Sequence, residues 1–443
     1  MLLEFQATNY RSFRETLTFS MIPAPKQKGL DYSILTEKIG RNKVKALSSA
    51  VIYGPNASGK TNIIGAMDTM RAIVLRGSID NAETSGTPNA ASCLLEMIPF
   101  NGLTEVEPVK FGIKFIEDGM LIEYAFSMRI GLFLDRDYDR VIEFEQLRIN
   151  GNDIFVRDTH LHMGDIQGIW NYLNNGMITE MSSLCEIAEY SLTARELFMC
   201  NGFKSIISKK LASTITEWFA QKFMIVYQAN SVHLAHRFVN PREKTIYVEK
   251  TLNEAAKAFG INSNALGFKP SKTEEDTVLY SLFDLDNRKM AVPAELFESY
   301  GTIRFVNEFP LIIRALLTGA TLVVDEFDAS IHPMAMMNII NAFHNDDINK
   351  HKAQLVFNTH NPIFLNASLY RRDEIKFVER DDESHESTHY SLSDFKTYGS
   401  KGVRKGEDYM KNYFISQYGA IKDIDFSAIL ESLTSDAEVS NND

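Results

Sequence analysis

Hydrophobic and polar residues alternate across residues 2–20, a period-two pattern that predicts two strands around Asn9-Tyr10-Arg11-Ser12-Phe13. Residues 22–45 read as a polar connection marked by Pro23 and Pro25, followed by a strand. Ser49-Ala50-Val51-Ile52-Tyr53 is an apolar run of the kind a buried strand carries. Behind it Ile63, Ile64, Met67 and Met70 recur three and four apart, on one helical face. Residues 80–91 are rich in Asn, Ser, Thr and Gly and read as a loop. Alternation returns at 109–115, 121–128 and 141–147, with Glu117-Asp118-Gly119 as a hairpin turn, so residues 107–150 are expected to form an antiparallel lobe.

Residues 160–235 then read mainly as helices, over 178–198 and 203–225, with Ile206, Ile207, Leu211, Ile215, Trp218 and Phe219 at helical spacing. No heptad repeat with charged flanks is sustained, so the segment is expected to be a compact insertion, not a coiled-coil arm. Trp170 and Trp218 read as packing residues. A short helix is expected over 251–259, and a hairpin over 278–290 turning near Asp286-Asn287. Residues 320–324 and 354–357 are apolar strands, and 434–443 a solvated tail.

Composition narrows the class. A chain of 443 residues with 44% hydrophobic and 23% charged side chains has enough apolar material for two or more structural units. A formal net charge of −12 argues against a protein whose whole surface grips nucleic acid, while leaving room for a local basic groove. Cys93, Cys185 and Cys200 have no metal-ligand spacing and suggest no disulfide framework. The first residues lack a signal-peptide pattern, and no run approaches the roughly 18 apolar residues of a membrane span. A soluble cytoplasmic protein is expected.

The chemistry starts at Gly54-Pro55-Asn56-Ala57-Ser58-Gly59-Lys60-Thr61, a G-x-x-x-x-G-K-[ST] motif between a strand and a helix. Gly54 and Gly59 let the loop curl, so that the amides of Asn56, Ala57, Ser58 and their neighbours, continuing to Asn62, point at phosphate oxygens. The helix N-terminus beneath adds partial positive charge. Lys60 is placed for the β- and γ-phosphates, and the Thr61 hydroxyl for Mg²⁺. A second apolar strand ends in Asp325 and Glu326, where Asp325 is set to orient the metal shell and Glu326 to polarise an attacking water. Just upstream, Ser299, Gly301 and Thr302 at a helix start have the form of a backbone-amide phosphate clamp. His360 ends a further strand and is expected beside the γ-phosphate. His385-Glu386-Ser387-Thr388-His389 fits H-E-x-x-H, but it sits in a polar hairpin pattern without the helix that zinc ligation requires.

This order of motifs resembles the ABC-type ATPases, and within them the SMC, RecF and Rad50 class. Asn9-Tyr10-Arg11-Ser12-Phe13 matches the N-terminal strand turn, which implies that Arg11 contacts nucleotide. Glu298-Ser299-Tyr300-Gly301-Thr302 matches the signature motif, Asp328-Ala329-Ser330-Ile331-His332-Pro333 the D-loop, and His360 the switch histidine. Residues 403–408 and 418–421 look like the bacterial RloA/AbiL-type abortive-infection ATPases. Two departures stand out. Glu298 replaces the leucine of transporters, and Pro99-Phe100-Asn101 offers Asn101 where a Q-loop glutamine belongs.

The resemblance implies an α/β, P-loop ABC-type ATPase head with an antiparallel β lobe and a helical insertion. Its expected parts are 1–158, the N-terminal half with P-loop and lobe; 159–240, the insertion; 241–425, the C-terminal half; and 426–443, a tail. It also implies ATP and Mg²⁺ as ligands, and a homodimer or larger oligomer with ATP sandwiched between heads. The implied task is anti-phage defence, in which a DNA or phage-protein trigger leads the ATPase to control a separate effector such as a Toprim-like nuclease. The alternative is a RecF/Rad50-like repair ATPase that binds DNA directly. The N-terminal strand and Glu298 speak against a transporter motor.

Overall fold

The computed structural model describes residues 1–25, 29–82, 90–174, 181–227, 254–255, 257, 265–269, 278–285, 288–329, 331–395, 403, 406–422 and 426–427. Its first strands are β1 (Leu2–Thr8), β2 (Leu17–Ser20), β3 (Ile34–Ile39), β4 (Asn42–Leu47) and β5 (Ser49–Tyr53). Next come β6 (Val109–Glu117), β7 (Met120–Arg129), β8 (Val141–Ile149), β9 (Asn152–Arg157), β10 (Leu161–Met163) and β11 (Phe223–Val226). The last are β12 (Ala265–Lys269), β13 (Val278–Leu285), β14 (Arg288–Pro293), β15 (Thr321–Val324), β16 (Gln354–Asn358), β17 (Ile375–Arg380) and β18 (Ser387–Ser391).

The central sheet has the order β11-β15-β16-β5-β17-β18 and is parallel except for its final pair. Its inner strands β15, β16 and β5 are buried along their whole length because both faces are covered. All five residues of β5 are buried. Side chains alternate between the faces. Ile52, Val323 and Val356 join the P-loop helix (Lys60–Arg76) in one core, whereas Val51, Val324, Leu355 and Phe357 join the helices Tyr300–Thr318 and Pro333–His344 in another.

The antiparallel lobe, β10-β9-β8-β7-β6-β1-β2, lays its apolar face on the P-loop helix, so Phe111, Ile113 and Tyr124 share a core with Ile63, Met67 and Met70. Between β6 and β7, Asp118 and Gly119 both have positive φ (49° and 69°), as a two-residue type I′ hairpin turn requires. Gln354 ties the layers together: its side chain accepts from Leu2 N and donates to Leu2 O and Leu47 O.

The segment expected to be a helical insertion differs in detail. Helical turns cover Met181–Tyr190, Met199–Ile207, Lys209–Glu217 and Trp218–Lys222, but 223–226 is strand β11, paired in parallel with β15. A four-residue apolar run has no decisive period, and the edge of the central sheet claims it. At the other end, Leu161–Met163 extends the lobe. Phe198, Phe203, Leu211 and Ile215 are buried in the same core as the P-loop helix. Trp218 is 1% exposed and stacks on Phe115 at 3.9 Å, whereas Trp170 is 48% exposed and does not fill a core. The hairpin of β13 and β14 is present; its expected turn Asp286-Asn287, most of 251–259, and 434–443 lie outside the described residues.

Candidate functional site

The P-loop leaves the C-terminal end of β5 and curls against the β17–β18 hairpin. A Cβ on Gly54 would stand 2.3 Å from Val378 O, so the backbone of β17 leaves no room for a side chain there. Gly59 has φ +108°, and a Cβ on it would stand 2.7 Å from Ser387 Oγ and 2.8 Å from Ser12 Oγ. The Ser387 hydroxyl donates to Ser58 O at 2.7 Å, and Ser387 N donates to Ser12 O at 2.6 Å. Asn62 Nδ2 donates to Ser12 Oγ at 2.7 Å. Asn56 and Ala57 form the exposed tip of the loop, with Ala57 at φ +61°. Ser58 is 2% exposed, and its hydroxyl has no hydrogen-bond partner.

Lys60 folds onto its own loop, donating from Nζ to Gly54 O at 2.8 Å and Pro55 O at 2.9 Å. Burial pushes its ammonium down to about 8, with Asp325 and Glu326 opposing the shift. Those two acids follow directly on β15. Thr61 Oγ1 donates to Asp325 Oδ1 at 3.0 Å, joining the P-loop to the acidic strand.

Strand order explains what lies between them. Because β16 separates β15 from β5, its C-terminal end delivers Asn358, Thr359 and His360 between the lysine and the acids. Asn358 is fully buried; its Nδ2 donates to Asp325 Oδ1 and its Oδ1 accepts from Glu326 N, both at 2.5 Å. Thr359 hydrogen-bonds to Asp328, whose carboxyl is raised chiefly by burial. Partial burial, reinforced by the Lys60 charge, holds the His360 imidazole below its ordinary value while Glu326 opposes. Glu326 is exposed and stands at φ +51°.

Arg11 lies at φ +51° in the N-terminal turn. Its Nη1 donates to Tyr227 OH at 2.7 Å, and its guanidinium sits 6.0 Å from the Tyr227 ring centroid, at the end of β11. Residues 98–100 pack against this turn, with Arg11 N donating to Ile98 O at 2.6 Å and Phe100 N to Asn9 Oδ1 at 2.9 Å. Asn101 is exposed beside them.

Ser299, Gly301 and Thr302 form a separate group at a helix start. Ser299 caps the helix Tyr300–Thr318, accepting from Thr302 N at 3.1 Å and pairing with Thr302 Oγ1 at 2.9 Å. Gly301 follows on the first turn, and Glu298 accepts from Ser281 Oγ on β13 at 2.7 Å. No hydrogen bond joins Ser299, Gly301 or Thr302 to Lys60, Thr61, Asp325 or Glu326 among the described residues. Leu296, Phe297 and Tyr300, next to the cap in sequence, are exposed apolar side chains. Further along this helix, Arg304 Nη2 donates to Asp325 O at 3.3 Å and Glu326 O at 2.5 Å.

Sequence reasoning passed over Asn358, Arg304, Ser387 and Tyr227. Two carried a signal: Asn358 is a polar residue directly after the apolar run Leu355-Val356-Phe357, and Arg304 with Glu308 is an i,i+4 ionic pair in a largely apolar helix. Ser330 of the D-loop, with Arg404 and Lys405, lies outside the described residues. His385 occupies an exposed turn and His389 lies on β18, and no cluster of three or more His, Cys, Asp or Glu fit for a metal occurs among the described residues.

Residues 216–366 match a family model described as "AAA domain, putative AbiEii toxin, Type IV TA system". That span includes Ser299, Gly301 and Thr302, the acidic strand and His360, and begins after the P-loop. The SMC head domain from Thermotoga maritima is similar at 12% identity and a TM-score of 0.37, over 88% of this chain and 98% of that one. No curated protein matches the chain. The P-loop strand β5, the intervening β16 and the acidic β15 lie in one parallel sheet covered by an antiparallel lobe, so this chain has a mixed α/β fold with a P-loop between strand and helix.

Proposed function

We propose that the chain binds and hydrolyses ATP, and that pairing of two heads over bound nucleotide is its switch. The observation that carries this reading is the junction of Thr61 Oγ1 with Asp325 Oδ1, which brings a hydroxyl and a carboxylate of the magnesium-site type to the mouth of a phosphate-shaped loop. The fit is supported by the unpartnered Ser58 hydroxyl inside the loop and by an ammonium now bonded only to main-chain carbonyls.

Lys60 exchanges Gly54 O and Pro55 O for phosphate oxygens, and the amides of residues 54–62 hold the remaining oxygens. Thr61 and Asp325 would hold Mg²⁺, which when bound supplies positive charge against the β- and γ-phosphates. Glu326 orients the attacking water and takes its proton on the carboxylate. His360 stands near both Lys60 and Glu326, where its imidazole can hydrogen-bond a γ-phosphate oxygen. Arg11 reaches the nucleotide from the N-terminal turn. Ser299, Gly301 and Thr302 act on the partner head's nucleotide, consistent with the absence of hydrogen bonds to their own P-loop among the described residues and with the exposed apolar Leu296, Phe297 and Tyr300 next to them in sequence.

The biological task that fits best is bacterial defence, with the ATPase governing a separate effector. The family model's own description, a putative toxin of a toxin–antitoxin system, favours that over a repair role. No helix among the described residues is long and apolar enough to cross a membrane. The test is to purify Glu326→Gln with ATP, expressed together with its neighbouring genes. A stoichiometric nuclease-like or toxin-like protein supports effector control. Bound DNA without a protein partner replaces it with the repair reading.

A further inference from the structure

Ser299 and the acids of β15 belong to different parts of the nucleotide machinery, yet one side chain reaches from the helix of the first to the backbone of the second. Arg304 is 4% exposed, five residues beyond Ser299 on the same helix. Its Nε donates to Glu308 Oε1 at 2.9 Å, and its Nη2 spans the carbonyls of Asp325 and Glu326. From the other side Asn358 holds Glu326 N. Glu326 is thus fixed at φ +51°, a left-handed conformation that non-glycine residues rarely adopt, with both of its peptide groups gripped by side chains.

An ion pair serving only to fasten the helix would close on itself. Here Glu308 Oε2 and Asn307 Oδ1 are buried without partners, while the guanidinium reaches past Glu308 to two main-chain carbonyls. A helix transmits a push along its axis as a unit, and interface helices shift by about 1–2 Å in switching proteins. We propose that Arg304 is a positioning residue that couples the signature segment to Glu326: when Ser299 is drawn onto a nucleotide, the helix carries Arg304 and re-aims the Glu326 carboxylate. This inference rests on the head-pairing reading above and adds the link between pairing and chemistry.

Removing Arg304 alone would strand Glu308 in the core, so the decisive variant is the double replacement Arg304→Met/Glu308→Leu, in which both partners leave together. Arg304→Lys is its companion, because one ammonium cannot reproduce the planar fork. The expected result is ATP affinity within about threefold of wild type, ATP-driven association retained in a Glu326→Gln background, and kcat of associated heads reduced about 100-fold, the cost typical of a 1 Å misplacement. Arg304→Lys should fall between. Wild-type kcat in the double variant overturns the coupling, and so does a parallel loss of ATP affinity and melting temperature, which would make the pair structural. If the wild-type chain never associates with ATP, head pairing fails and the coupling with it. If it associates and both variants hydrolyse normally, only the coupling fails.

Discussion

Replacing Asn358 by leucine, which keeps the volume and removes the amide, separates holding ATP from hydrolysing it. Two hydrogen bonds disappear in a fully buried position: the one to Asp325 Oδ1 and the one from Glu326 N. A buried group left without its partner costs about 1–3 kcal/mol. Asp325 Oδ1 retains the Thr61 hydroxyl, which places its loss at the lower end, so the total is about 2–4 kcal/mol. Lys60 and the P-loop amides are untouched. Freed on one side, the Glu326 peptide no longer fixes its carboxylate, and kcat should fall about 100-fold. Scanning calorimetry reads the stability, ATP titration the affinity and phosphate release the turnover. Reduced stability with kcat within about twofold of wild type would refute the reasoning, because Asn358 would then brace the sheet and not the acid.

Lys60→Ala should abolish ATP binding measured by titration, since it removes the ammonium that folds onto Gly54 O and Pro55 O of the loop; retained tight binding would sink the P-loop assignment. Ser299→Arg should leave ATP binding by a single head intact and block ATP-driven association in sedimentation, because Ser299 makes no hydrogen bond to its own Lys60 or Thr61 among the described residues. Unchanged association would refute the clamp. Burial, with the Lys376 charge adding, pushes the His389 imidazole down to about 3. A histidine depressed in the folded state costs stability when it must charge, so its contribution is complete above the unfolded value near 6.5 and is lost as pH falls toward 3. His389→Phe, a ring of similar shape beside Phe19, should therefore lose less stability than wild type between pH 6.5 and 4 in denaturant titrations. Equal acid sensitivity would show that the imidazole charges without penalty.

Features written in contiguous residues were legible in the sequence. The alternation of β6, β7 and β8, the apolar run of β5 and the helix behind the P-loop are set by local periodicity and carried their elements with them. Partnerships across the chain were not. Ser387 braces Ser58 from 329 residues away, and nothing around either serine marks the contact. The run 223–226 reads equally as helix or strand until β15 lies beside it, and only the folded sheet decides. Asn358 and Arg304 are buried polar residues in mainly apolar elements. Their role depends on which strand ends they meet, which strand order fixes and sequence spacing does not.

The central claim is that this chain is an ATPase whose chemistry runs through Glu326 on a nucleotide held by the P-loop. Equilibrium binding of radiolabelled ATP to wild type and Glu326→Gln, with phosphate release measured on the same samples, tests it most directly. The account predicts one ATP per head in both proteins and turnover at least about 100-fold lower in Glu326→Gln. Failure of wild type to bind ATP, or undiminished turnover in Glu326→Gln, would contradict it.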